Sequence, residues 1–427
     1  MIKVGIELQD DNINRIDLRN PRKGNPGVGG TEFLAVLLAE YLHKHTSDFK
    51  VIIFHYSMNY LPENIEDVLI SDRESLLKKI EREKIDVFIF SISKDMQWYT
   101  ALKKRNLCAI AWAHEYPSFK EIAEINRCKQ IKRVIFVSKE EYDAYIDNDI
   151  INKSSYIFNM VYTGQELRER ELSEPIVTYV GSLVKEKGFH ILAKSWRKIL
   201  LLVPNAKLYI LGSGRLYDRS AKLGKYQIAD EEYERMFMPY LTDSDGRILP
   251  SVYFVGIADT KMKEEIFSKT SVGVVNPTGI SETFCLSAVE MELAGIPVVT
   301  KAKYSLFDTV KNNKTGYLVR NERELVTRIS GLLQDKESNL ILGNNARKFA
   351  IANFTAELII EQWISEIKEI LHDKKVNYMG LYENYWNGFK WLKIGIRFLR
   401  INLKMNFLPS FSAIEYTMKQ IIHMRKN

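Results

Sequence analysis

Two glutamates, Glu282 and Glu290, stand eight positions apart in the segment Asn276-Pro-Thr-Gly-Ile-Ser-Glu-Thr-Phe-Cys-Leu-Ser-Ala-Val-Glu-Met-Glu-Leu-Ala-Gly-Ile-Pro-Val-Val299. A carboxylate offers two acceptor oxygens and can take two hydroxyls, so such a pair suits a sugar and a ribose lying end to end. The pattern predicts a helix beginning at Ser281 or Glu282, with Leu286, Val289 and Leu293 on its buried side. Eight residues are a little over two helical turns, which brings Glu290 to nearly the same side as the loop holding Glu282. The amides of Phe284, Cys285 and Leu286 then lie near the helix N-terminus, where a phosphate can bind between the two acids. Two solvated glutamates on a surface helix are the ordinary alternative. The flanking Ala-Gly-Ile-Pro-Val-Val and the Asn-Pro turn upstream argue against it.

Other segments carry compatible chemistry. Asn25-Pro-Gly-Val-Gly-Gly-Thr-Glu32 clusters glycines before an apolar helical stretch. Backbone N–H groups there, at Gly29 and Gly30, can approach a phosphate or pyrophosphate, although a tight structural turn gives the same pattern. The spacing matches neither Walker A nor GxGxxG, which weakens simple triphosphate and dinucleotide readings. Tyr179-Val-Gly-Ser-Leu-Val-Lys-Glu-Lys-Gly188 places Lys187 where it can neutralise a departing diphosphate; a solvated lysine at a helix start is the alternative. Leu211-Gly-Ser-Gly214 and Val252-Tyr-Phe-Val-Gly256 end strands in glycine, so Gly212 and Gly256 permit close backbone approach. His114 follows a strand in Cys108-Ala-Ile-Ala-Trp-Ala-His. Asp243-Ser-Asp245 mimics a metal-binding D-x-D but sits in a polar turn.

The elements needed to hold these groups are legible as two series of short β-branched runs separated by helical patterns. Lys3–Glu7, Val51–His55, Val87–Ser91, Cys108–Ala113 and Val134–Ser138 form the first series; Ile176–Val180, Lys207–Leu211, Val252–Val255, Val272–Val275 and Val298–Thr300 form the second. Alternation of this kind specifies an α/β class, two doubly wound parallel-sheet units with ligands beyond the carboxyl ends of the strands. The expected division is 1–165, 166–355, a returning helix within 356–375 and a tail over 376–427, with the polar stretch Thr163–Glu174 as linker. At 427 residues, with 46% hydrophobic and 27% charged content, the chain has room for both cores. Cys108, Cys128 and Cys285 show no disulfide or zinc spacing, which points to a reducing compartment. The N-terminus reads as a first strand, not a signal peptide, and nothing reaches the roughly 18 apolar residues of a spanning helix.

With those pieces in order, the sequence resembles glycosyltransferase family four, over about residues 1 to 370 and strongly from Tyr179 to Thr300. The resemblance rests on the E-x7-E pair, the glycine loop, Val-Gly-Ser-Leu…Lys-Gly, Leu-Gly-Ser-Gly and Phe-Val-Gly. It implies a GT-B fold of two Rossmann-like domains facing a cleft, and a retaining, metal-independent hexosyltransferase. The implied co-substrate is a nucleotide-diphosphate sugar, a UDP- or GDP-sugar, with no further cofactor; the implied setting is bacterial cell-surface polysaccharide synthesis on a glycan or polyprenyl-diphosphate-linked acceptor. By the same analogy Glu290 holds the ribose, Glu282 the donor sugar and Lys187 the diphosphate. Gly29 and Gly30 face the phosphate from the first domain, and His114 lies near the reacting sugar. Ser138 and Asn159 match positions with architectural roles. The family usually has arginine where this chain has Ser182, and Lys185 is the nearby replacement; Cys285 stands where glycine is common. A noncatalytic GT-B partner subunit remains the alternative, and donor hydrolysis discriminates.

The net charge of +7 does not indicate nucleic-acid binding, because its excess sits in the tail, where eight Lys/Arg face two Asp/Glu from Val376 onward. Lys390, Lys393, Arg397, Arg400 and Lys404 recur at three-to-four spacing, with Phe389, Leu392, Ile396, Leu399 and Leu403 beside them and Trp386, Trp391, Ile394, Phe398, Ile401 and Met405 covering most of the rest. This predicts an interfacial helix over 386–405 whose basic stripe meets anionic lipid, and a cytoplasmic protein peripheral to the inner face of the plasma membrane. A helix docked on protein is the alternative.

Overall fold

The structure, a computed structural model, describes the whole chain except residues 46, 163–169, 217–219, 377–382, 406 and 425–427. Residues 163–169 of the expected linker and 377–382, 406 and 425–427 of the tail therefore lie outside the described residues. The first unit is a parallel sheet of seven strands: β1 (Ile2–Leu8), β2 (Phe49–His55), β3 (Glu66–Leu69), β4 (Val87–Ser91), β5 (Ala109–Ala113), β6 (Ile131–Phe136) and β7 (Ser154–Tyr156). Their order across the sheet is β3-β2-β1-β4-β5-β6-β7. The second has six: β8 (Ile176–Val180), β9 (Lys207–Leu211), β10 (Val252–Gly256), β11 (Val272–Val274), β12 (Val298–Lys301) and β13 (Gly316–Val319), ordered β10-β9-β8-β11-β12-β13. All pair in parallel.

In both sheets the chain lays three strands in one direction and then returns to the other side of the first, which puts a switch point between β1 and β4 and another between β8 and β11. Loops leaving such a switch point diverge and open a crevice, which is where open α/β sheets bind ligands. The loops concerned are those carrying the glycine cluster, Lys187 and Glu282. The sequence expectation missed β3, β7 and β13, and all three are sheet edges. An edge strand is covered on one side only, so its residues need not be continuously apolar; Glu66–Leu69 is largely exposed.

The units are joined twice. Val161 N–H donates to Phe354 O and Ala356 N–H to Val161 O, so the outgoing and returning chains pair at the hinge. The helix Ala356–Leu371 then packs on the first unit's Gly30–Lys44 helix, burying Ile359, Ile360, Trp363, Ile364, Ile367 and Ile370. At about 1.5–3 kcal/mol per fully buried large side chain, this one face anchors the crossing firmly.

The tail corrects the expected orientation of the basic stripe. Helix Lys390–Ile401 turns four of its five members, Lys390, Lys393, Arg397 and Arg400, inward onto the first unit instead of toward lipid, and Lys404, beyond the helix, is exposed. Buried Lys390 sits between Glu140 (3.1 Å) and Asp143 (2.5 Å). Lys393 donates to Ala144 O, Arg397 to Ile146 O, and Arg400 to Asp147 O and the Asp149 carboxylate. Carbonyls at the end of a helical segment attract cations, which gives the stripe a protein partner. Asn387 accepts from Tyr304 N–H of the second unit and donates to Glu140 of the first, so the tail also straps the two units together. The apolar residues are left outside: Trp386 is 85% exposed and Phe398 53%.

Lys390→Met leaves two buried carboxylates without a cation and is expected to cost about 3 kcal/mol. Burial pushes the Asp143 carboxyl up to about 7, so it is protonated in the fold at lower pH, and its share of the stability is lost as pH rises through 7. Urea unfolding of the variant is therefore expected to show the larger deficit at pH 8 and the smaller at pH 5.5.

Candidate functional site

Between the two switch points lies a cavity of about 300 Å³. Its floor is backbone. The ends of β8, β9 and β10 carry Gly181, Gly212 and Gly256; Gly181 N–H donates to Leu211 O and Gly212 N–H to Gly256 O. A Cβ on Gly212 would lie 1.9 Å from the Gly181 carbonyl oxygen, so only glycine lets these strand ends stack. The lips meet across the cleft: Gly27, at φ +93°, would place a Cβ 2.5 Å from the Ile257 methyl of the second unit.

The loop from Asn276 to Glu282 is shaped by left-handed backbone at Asn276 (φ +35°), Gly279 (+64°) and Ser281 (+51°). Left-handed non-glycine residues are uncommon and cluster at functional loops. The Asn276 side chain accepts from Gly279 N–H and donates to Glu282 Oε2 at 2.6 Å, so one amide shapes the loop and holds the acid. Lys187 Nζ reaches the same oxygen at 2.9 Å. The predicted helix start is corrected. Left-handed Ser281 cannot continue an α-helix, and the helix runs Leu286–Leu293, leaving Glu282 on the loop. Its N-cap, Cys285, makes no side-chain cap, so the amides at Phe284–Leu286 face the cavity end of the helix. Burial pushes the Cys285 thiol well up, which leaves its amide as the group with something to offer an anion. From behind, Val289 and Leu293 join the first unit's core, and Phe284 meets Phe158 and Phe354 at the hinge.

Glu290 lines the same cavity and is paired with Lys263 Nζ at 2.9 Å. Sequence reasoning missed Lys263. The available signal was electrostatic: a lysine in the first turn of helix Thr260–Lys269 faces the positive end of the helix dipole, where acids are favoured.

Residues 165–349 match the family described as glycosyl transferases group 1. Over that stretch the chain is similar to a group 1 glycosyl transferase domain. It is 25% identical over 202 residues to the capsular polysaccharide biosynthesis glycosyltransferase CapM of Staphylococcus aureus, covering 47% of each chain. The chain spans about half the length of the curated relatives it matches. Its fold is similar to sucrose-phosphate synthase from Thermosynechococcus elongatus, with TM-score 0.68 at 18% identity over 87% of this chain and 100% of that one. It is also similar to Anabaena HepE in complex with UDP and glucose, at TM-score 0.63 and 15% identity over 86% of this chain and 100% of the other. The two parallel-sheet units around a cleft are the GT-B arrangement.

Within this glycosyl transferase frame the expected donor-binding residues do not all converge. Gly30, Ser182, Lys187, Gly212, Gly256, Glu282, Phe284, Cys285, Leu286 and Glu290 line the cavity. Gly29 does not: it caps the helix Gly30–Lys44 and faces Glu32. Lys185 does not either; it is exposed on a 3₁₀ turn, which removes it as the substitute for a cation at Ser182. Ser182 is buried and turns its hydroxyl to Ser213 O at 3.3 Å. His114 borders a smaller recess on the first unit, with Gln9, Thr31 and Lys94. Burial lowers its pKa to about 3, so the ring is neutral, and its Nε2 is buried without a hydrogen-bond partner among the described residues. Asp243 and Asp245 are both engaged by Arg247, which makes that loop a turn.

A methyl at Gly212 meets a carbonyl, whereas one at Gly256 meets open space and carries only the strain of φ +81°. Gly212→Ala is expected to cost about 3 kcal/mol, and Gly256→Ala about 1–2 kcal/mol, measured by denaturant unfolding.

Proposed function

We propose that the protein transfers a hexose-type sugar from a nucleotide-diphosphate sugar, UDP- or GDP-linked, to a hydroxyl of a glycan or lipid-linked acceptor in cell-surface polysaccharide synthesis, with retention at the anomeric carbon. The observation that carries the reading is the pair of glutamates, each held by its own lysine, facing one cavity at the joined strand ends of a domain similar to group 1 glycosyl transferases. The CapM relative's name, which concerns capsular polysaccharide, supports the setting.

In this mechanism Glu290 accepts from the ribose hydroxyls and Glu282 from the donor sugar. Lys187, drawn from Glu282, and the uncapped amides at Phe284–Leu286 meet the diphosphate. As the bond from the anomeric carbon to the phosphate oxygen breaks, negative charge grows on the diphosphate where these donors already point. The departing oxygen takes the proton of the acceptor hydroxyl, whose oxygen attacks the same face. Neutral His114 is a hydrogen-bonding group beside the reacting sugar, not a cationic acid. No step is assigned to a metal, and activity that persists in EDTA is the expected outcome.

Glu282→Gln is expected to lower kcat on the order of 100-fold, since a misplaced polar contact in the transition state costs about that much. Proton NMR of the product tests retention; an inverted anomer overturns the mechanism.

The tail belongs to the same proposal, with the membrane contact made by its apolar face. Trp386, Phe389, Trp391 and Phe398 lie outward, and no described helix is long and apolar enough to cross a membrane. Aromatic side chains on an amphipathic helix insert at the headgroup level, which supports a peripheral position, on this reading at the inner face of the plasma membrane beside a lipid-linked acceptor. Insertion of this kind is expected to float the protein with uncharged phosphatidylcholine vesicles in high salt, and Trp386→Ser with Phe398→Ser to abolish it. Binding that requires anionic lipid overturns it.

A further inference from the structure

Three glutamates, Glu264, Glu282 and Glu290, and two lysines, Lys187 and Lys263, line the cavity among the described residues. The lysines come from different elements, the turn after β8 and helix Thr260–Lys269, and serve different acids. Lys187 joins Glu282, which Asn276 also holds; Glu290 has Lys263 on Oε1, and its Oε2 receives no side-chain hydrogen bond among the described residues. Lys263 is set deep for a lysine, its side chain 14% exposed, and in the first turn of its helix it works against the helix dipole. A position that is unfavourable for the helix has its compensation in the Glu290 carboxylate.

We propose that Lys263 is the positioning residue that aims Glu290 at a vicinal diol, and that through this pair the cavity selects ribonucleotide over deoxyribonucleotide donors. The inference rests on the nucleotide-sugar reading above and deepens it. A glutamate without this partner has three freely turning bonds, and its carboxylate can follow a single hydroxyl wherever it lies. With Oε1 held by Lys263, the turning of the carboxylate is restricted, and its open edge fits two adjacent O–H donors. A ribose supplies both; a 2′-deoxyribose leaves one place on a charged acceptor unfilled. Lys263 thus acts through Glu290, and the charge it adds keeps the lining from holding two negative charges in excess beside a diphosphate.

The test uses the full chain and calorimetric titration with UDP, dUDP, GDP and dGDP. The wild type is expected to prefer the ribose form of the nucleotide it binds on the order of 10-fold or more, the value of a hydrogen bond to a charged group. Lys263→Met is expected to bring the ribo and deoxy affinities within about 3-fold, chiefly by weakening the ribonucleotide, while Lys263→Arg keeps most of the preference. Glu290→Gln is expected to flatten the ratio as well, with no further change on adding Lys263→Met, as two residues acting as one unit require. In turnover, KM rises and kcat changes little. A Lys263→Met protein that is folded by circular dichroism and keeps the wild-type ribo-to-deoxy ratio overturns this inference and leaves the nucleotide-sugar reading standing. A wild-type protein that binds none of the four nucleotides overturns that reading, and this inference with it.

Discussion

Glu282 is held from both units at once. Its side chain receives Lys187 from the loop after β8 and Asn276 from the loop after β11, while its backbone carbonyl accepts the Tyr116 hydroxyl of the first unit at 3.3 Å. The next residue continues the tie, since the Thr283 hydroxyl donates to His114 O at 2.8 Å. The loop that presents the carboxylate to the cavity is therefore also a contact that keeps the cavity closed. A displacement of the units moves the acid, and a change of partner at the acid loosens the units. This coupling gives a physical reason for the left-handed backbone of the loop: only an overdetermined segment can hold Asn276 and Ser281 in that region.

Closure has further supports at increasing distance from the site. Ser138 and Ser305 share a hydrogen bond of 2.7 Å, and Glu140 N–H donates to Asp308 at 2.8 Å. Around Glu140 the tail adds Asn387 and Lys390. Burial pushes Asp308 and Asp143 up to about 7, which shows how dry this junction is. The hinge on the other flank is apolar, with Phe354 packed edge to face against both Phe158 and Phe284. One flank thus depends on directional polar contacts and the other on shape, and the cavity lies between them.

Ten strands and the parallel, doubly wound class were legible from β-branched runs, because central strands buried on both faces must be continuously apolar. Three of the four edge strands, β3, β7 and β13, were not, for the same reason inverted. The glutamate pair and Lys187 were visible through type and spacing, and their shared cavity follows from strand-end loops converging at switch points. Where spacing misled, backbone chemistry intervened: the eight-residue step from Glu282 to Glu290 suggested one helix, yet only its last half is helical. Lys185 and Lys187 are two residues apart in sequence, and a 3₁₀ turn sends one into the cavity and the other to solvent. Lys263 was hidden because nothing local links it to Glu290; they meet through the tertiary fold.

The tail shows why an amphipathic pattern fixes a helix but not its orientation. Periodicity divides the residues into two faces, and which one turns inward depends on what the receiving surface offers. Exposed carbonyls following Lys139–Asp143, together with Glu140, Asp143 and Asp149, form an acceptor-rich surface, and a row of Lys and Arg at helical spacing satisfies it. Burying the apolar face there instead would have left those acceptors without donors, each at a cost comparable to a lost hydrogen bond. Four of the basic residues that look in sequence like an attraction to an outside anion, Lys390, Lys393, Arg397 and Arg400, are thus engaged inside the molecule. What remains at the surface is aromatic, and the chemistry of an outside contact is set by that face.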